Sequence, residues 1–107
     1  MSTIINVTDE TFEAEVMQSK CLTIADFWAD WCGPCHAIGS LLDELAESYD
    51  GQVKIVKVDF DQNQKISGQM EISGLPTLLF VKDGKVLERV LGAQSRSLIN
   101  EKIMRLL

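Results

Sequence analysis

Leu22-Thr23-Ile24-Ala25-Asp26-Phe27-Trp28-Ala29-Asp30-Trp31-Cys32-Gly33-Pro34-Cys35 is the stretch on which the reading of this chain turns. Leu22 to Ala29 is an apolar strand interrupted by one acid, Asp26. Behind it, Ile38, Leu41, Leu42, Leu45, Ala46 and Tyr49 follow the i, i+3, i+4, i+7 rule, which predicts an amphipathic helix over 34–49, ended by Asp50-Gly51. The C-x-x-C pair therefore sits where a buried strand gives way to a helix. At i, i+3 spacing the two sulfurs can meet with little backbone motion. Pro34 suits the first helical turn, because its missing N–H would be unpaired there anyway, and Gly33 permits the sharp turn into it. The unpaired N–H groups and partial positive charge of a helix N-terminus stabilise a thiolate on Cys32 and make it the nucleophile. Cys35, one turn in and more sheltered, is expected to resolve the mixed disulfide.

Outward from this segment, helical and strand patterns alternate. Residues 3–7 read as a short strand, and Thr8-Asp9-Glu10 opens a helix with Thr8 as its cap and Phe12 and Val16 on its inner face. Val53 to Val58 is a β-branched strand, and 63–70 a short helix. Thr77–Lys82 and Lys85–Leu91 are strands joined by Asp83-Gly84, a hairpin signal. Ser95 caps a last helix carrying Leu98, Ile99, Ile103 and Leu106. The order βαβαβαββα predicts an α/β fold: a central mixed sheet of about five strands flanked by about four helices. The first strands, which alternate with helices, are expected to run parallel, and the closing pair to form an antiparallel hairpin, so the sheet is mixed. With no repeat or linker, residues 1–107 read as one domain.

Composition narrows the function. The chain of 107 residues has a formal net charge of −6, which argues against non-specific nucleic-acid binding. Residues 1–50 hold ten acids and one base, Lys20; the rest holds six acids and nine bases, read as solvated helix faces. No apolar run approaches the ~18 residues of a membrane span, and the start carries no export signal, so a cytoplasmic monomer is expected. The third cysteine, Cys21, reads as a small core residue. Zinc would need Cys21, Cys32, Cys35 and His36 together, and the intervening strand of about eight residues at ~3.3 Å each keeps Cys21 away; no metal is expected. Cys32-Gly33-Pro34-Cys35-His36 also matches the haem-attachment pattern, but a packed strand–helix junction leaves no room for haem.

The segment Asp26 to Cys35 resembles the active site of the thioredoxin family. The resemblance spans the chain, through Val58-Asp59-Phe60-Asp61-Gln62-Asn63, Gly74-Leu75-Pro76-Thr77, Lys82-Asp83-Gly84 and Val90-Leu91-Gly92-Ala93. It implies the thioredoxin fold and general reduction of protein disulfides without a cofactor. It implies electron supply from a flavin- and NADPH-dependent thioredoxin reductase. Asp26 alone admits two readings, a carboxylate escaping to solvent or a buried acid with raised pKa. The resemblance implies the second, as base for Cys35, with Lys57 as its partner. It also implies a cis-Pro76 facing the disulfide, Gly74 and Gly92 flattening the approach, and Trp31, Leu75 and Ala93 as apolar contacts around Cys32, with Gly33 and Pro34 as support. Trp28 reads as core. His36, Ser40 and Met70 depart from the family's usual lysine or arginine, proline and tyrosine. The missing proline at Ser40 leaves Gly39-Ser40 as the expected bend of the long helix. Two rivals stand: a disulfide oxidase or isomerase, against which Gly33-Pro34 argues, and a non-enzymatic binding module using the same surface.

Overall fold

The structure, a computed structural model, describes residues 4–107; Thr3, at the start of the first expected strand, lies outside them. Five strands form one mixed sheet: β1 (Ile5–Asn6), β2 (Leu22–Trp28), β3 (Val53–Asp59), β4 (Thr77–Lys82) and β5 (Lys85–Leu91). Their lateral order is β1-β3-β2-β4-β5. Three α-helices accompany them, α1 (Gly33–Ser48), α2 (Gln64–Gln69) and α3 (Arg96–Leu106), with a π-helical turn over Glu13–Met17.

Alternation along the strands divides the core in two. On one face Leu22 and Ile24 of β2, Ile55 of β3 and Leu78 and Phe80 of β4 pack under Ile38, Leu42 and Leu45 of α1 and Ile99 and Ile103 of α3. On the other, Ala25, Phe27, Val56, Val58, Leu79 and Val81 meet Val7, Phe12, Val16 and Ile66. Asp26 and Trp28 continue the Leu22–Ile24 row, and Lys57 continues the Val53–Ile55 row, so all three belong to the α1 side of the sheet.

β1, β3 and β2 run parallel, as the alternation predicts. β4 also follows a helix, yet it pairs antiparallel with β2, Phe27 opposite Thr77. The connection over 60–76 holds only the six-residue α2, about 9 Å of helix at 1.5 Å per residue, and does not run back along the seven-residue β3. The chain therefore re-enters the sheet at the end it left. The hairpin turn places Asp83 at φ 52° and Gly84 at φ 75°, the left-handed pair of a two-residue type I′ loop.

Three local expectations are corrected. Thr8 does not cap a helix with its side chain: its own N–H donates to Thr11 Oγ1 at 2.9 Å, and the following turn closes from Gln18 N–H to Glu13 O, the wider π spacing. Asp9, expected in that first turn, reaches α2 instead, where its Oδ1 accepts from Ile66 N–H at 2.8 Å while its own N–H donates to Asn63 Oδ1 at 2.9 Å. Cys21 is half-buried and outside both core clusters, because it precedes β2 in the turn where Ser19 Oγ lies 3.6 Å from its sulfur. The cap at Ser95 is as expected, its Oγ accepting from Leu98 N–H at 3.2 Å. α1 is continuous through Gly39 and Ser40. No helix among the described residues is long and apolar enough to cross a membrane.

Candidate active site

β2 ends at Trp28 and α1 begins at Gly33, so the chain turns sharply between them. That turn is closed by Cys32 N–H donating to Ala29 O at 3.1 Å. Cys32 is the N-cap of α1 in extended backbone (φ −91°, ψ 105°), and Pro34 stands in the first turn, where no donor is lost. Cys35 is the third helical residue. The two cysteines are joined in a disulfide with Cα atoms 5.4 Å apart. Both are nearly covered, Cys32 at 5% and Cys35 at 3% exposure, so the expected difference in shelter does not appear in the oxidised form. What separates them is position: Cys32 faces the open N–H groups of the helix end, and Cys35 lies within the helix.

Asp26 is fully buried, and neither carboxylate oxygen has a hydrogen-bond partner among the described residues. Burial pushes its carboxyl up from 3.8 to about 7, against the opposing pull of the Lys57 ammonium. Lys57 stands directly across from Asp26 in the parallel register of β2 and β3. Its Nζ lies 4.8 Å from the centre of the Trp28 ring. Gly39 of α1 passes close above: a Cβ there would sit 3.5 Å from that Nζ.

The cis Leu75–Pro76 bond brings a second segment to the cysteines. Leu75 packs against the cluster of Ala29, Cys32 and Cys35, and so does Trp28, which is therefore part of the floor of the site and not simply core. Pro76 is buried, and its carbonyl accepts from Gly92 N–H at 2.8 Å, tying the 92–93 turn to the same surface. Gly92 has φ 89°, where a side chain is strained. A Cβ on Gly74 would come within 3.0 Å of Leu91 Cδ1. Trp31 is 68% exposed, and its Nε1–H donates to Asp61 Oδ2 at 2.8 Å. Gly33, Pro34 and Ala93 are exposed. Asp61 was not singled out by sequence reasoning; its place in the Val58–Asn63 segment of the resemblance was the only available signal. No group of three or more His, Cys, Asp or Glu side chains among the described residues could hold a metal ion.

A disulfide that bridges two positions of one helix start can open and close without disturbing the rest of the fold, which is the requirement for passing electron pairs to and from other disulfides. This chain is a dithiol–disulfide oxidoreductase. Comparison with known proteins gives the family. The thioredoxin family model matches residues 3–105. Thioredoxin 1 of a Nostoc species is 39% identical over 103 residues, 96% of each chain. Thioredoxin 1 of Synechococcus elongatus is 45% identical over 87% of each chain. The thioredoxin of Pseudomonas aeruginosa is 43% identical over 88% of this chain and 87% of its own. The chain belongs to the thioredoxin family.

Proposed function

We propose that the chain is a general reductant of disulfides in partner proteins, with Cys32 attacking and Cys35 resolving. The Cys32 thiolate attacks one substrate sulfur, forms a mixed disulfide and expels the other substrate sulfur as a thiolate. Cys35 then loses its proton to the Asp26 carboxylate and attacks the Cys32 sulfur. The Cys32–Cys35 bond forms, the mixed disulfide breaks, and the second substrate thiolate leaves. Two electrons pass from the cysteine pair to the substrate, and the sulfurs carry them without a cofactor. Asp26 acts as base, since a carboxyl held near neutral pH both accepts and releases a proton readily. Lys57 offsets part of the cost of its charge. Trp31, Gly74, Leu75, Pro76, Gly92 and Ala93 form the docking surface, supported by Gly33 and Pro34. A flavin- and NADPH-dependent thioredoxin reductase returns the electrons. The protein acts as a cytoplasmic monomer that binds neither membrane nor nucleic acid.

The observation that carries this reading is the placement of the disulfide, with Cys32 at the N-cap of α1 and Cys35 in its first turn. A trapping experiment tests it. Cys35→Ser, given a disulfide-bonded protein, is expected to accumulate a stable mixed disulfide through Cys32, while Cys32→Ser traps none. Equal trapping by both variants would show that the roles of attacker and resolver are wrongly assigned.

A further inference from the structure

His36 is the only histidine of the chain and follows Cys35 directly in α1. Its Nε2 lies 3.0 Å from the carbonyl oxygen of Asp30. A carbonyl only accepts, so Nε2 carries the proton and donates, in the neutral ring and in the charged one alike. Asp30 precedes Trp31 and Cys32 in the turn between β2 and α1. The contact therefore closes a ring over residues 30–36 that contains both cysteines, and the disulfide closes a smaller ring inside it over 32–35. Two cross-links over the same short segment are coupled, because each restricts the freedom that the other must remove to form.

We propose that His36 is a positioning residue: by tying the Asp30 carbonyl to the residue after Cys35, it holds the two sulfurs within reach of each other once the disulfide has opened. In the oxidised protein the disulfide already fixes this segment. In the reduced protein and in the mixed disulfide, the His36 contact remains as a side-chain tie from the turn before Cys32 to the first turn of α1, added to the backbone bonds of the turn and of the helix. It lowers the conformational entropy lost when the disulfide re-forms. The brace thus favours the oxidised form of the enzyme, which makes the dithiol the stronger reductant, and it speeds the resolving attack by Cys35. The first attack by Cys32, which needs no second sulfur in position, is left alone. Both groups are exposed, so the effect is that of one solvated hydrogen bond.

The test is the reduction potential of the pair, measured by equilibration with glutathione, in wild type, His36→Ala and His36→Gln. Glutamine keeps an N–H donor at similar reach and carries no charge. His36→Ala is expected to shift the dithiol–disulfide equilibrium about fivefold toward the dithiol, a potential about 20 mV less negative at 29.6 mV per tenfold. It is also expected to prolong the mixed disulfide on Cys32 by a similar factor, with the rate of Cys32 attack unchanged. His36→Gln should restore both. An unchanged potential in His36→Ala overturns the proposal. So does a His36→Gln variant displaced as far as the alanine one, because the charge of the ring and not its contact would then be the agent.

Discussion

At the scale of single residues, Asp26 shows how a side chain that weakens the fold can be kept for chemistry. A buried carboxyl with both oxygens unpartnered is costly in either state, and more so ionised. Its folded pKa of about 7 lies well above the ordinary 3.8. As pH rises from about 4, the unfolded chain releases this proton first, so the stability contributed by the neutral form is lost as pH climbs through the folded value. At 1.36 kcal/mol per unit, the loss from pH 4 to pH 8 is about 4 kcal/mol at most. Asp26→Ala is therefore expected to stabilise the oxidised protein, with the gain larger at pH 8 than at pH 4, and to slow turnover. Denaturant titrations at the two pH values measure the gain; equal stabilities across the range would mean that the carboxyl titrates as if in water. Asp26 could be suspected from the sequence because it interrupts an apolar strand. That Lys57 stands beside it and Trp28 beneath that ammonium could not, since both facts depend on strand register.

At the scale of elements, α1 does two jobs with one length of helix. Its first turn carries the cysteines, and its later turns bury Ile38, Leu42, Leu45 and Ala46 against the sheet. Gly39 lies in the middle, over Lys57, where a Cβ would make an ordinary 3.5 Å contact with the lysine Nζ. Ser40 also stands where the resemblance implies a helix-bending proline, and α1 runs through this point without interruption. Glycine supplies the backbone freedom that a bend at this point would need. Ser40→Pro is accordingly expected to be tolerated, or to raise stability by ~0.4–1 kcal/mol through the unfolded chain. A loss of ~3 kcal/mol in thermal or denaturant unfolding would show instead that the backbone bond at this position is fully made. Most of the elements were legible because caps, periodicity and turn residues act within a few positions of one another. Thr77–Lys82 and Lys85–Leu91 are strands with the limits read from the sequence. The segment after Thr8 was misread, because the partners of Asp9 are Asn63 and Ile66, out of sight of any local rule.

At the scale of the molecule, the one sheet belongs to both core clusters, so neither half of the core exists without the other. α3 is fastened to the hairpin by Lys102 and Arg105, both of which donate to the carboxylate of Glu88 on β5. α2 is fastened to the start of the chain by Asp9. Residues 4–107 are therefore expected to unfold as one cooperative unit. Far-ultraviolet circular dichroism, which follows the helices, and tryptophan fluorescence, which follows Trp28 and Trp31 at the site, should give coincident denaturation curves. A fluorescence transition well ahead of the dichroism would show that the site melts on its own, and that the fold is less tightly coupled than this arrangement requires.

The sequence by itself determined what depends on neighbours along the chain: the strand–turn–helix that carries Cys32 and Cys35, the amphipathic faces, the Asp83-Gly84 turn and the Ser95 cap. It also carried the family, since W-C-G-P-C and a later G-L-P-T stand together in one chain. Only the tertiary structure decided the direction of β4, the half-buried place of Cys21, the bond from Trp31 to Asp61 and the brace from His36 to Asp30. The physical reason is range. Backbone propensities and periodicities act over a turn or a strand, whereas register, strand direction and side-chain partners follow from where the chain re-enters the sheet, and that is fixed by the packing of the whole molecule.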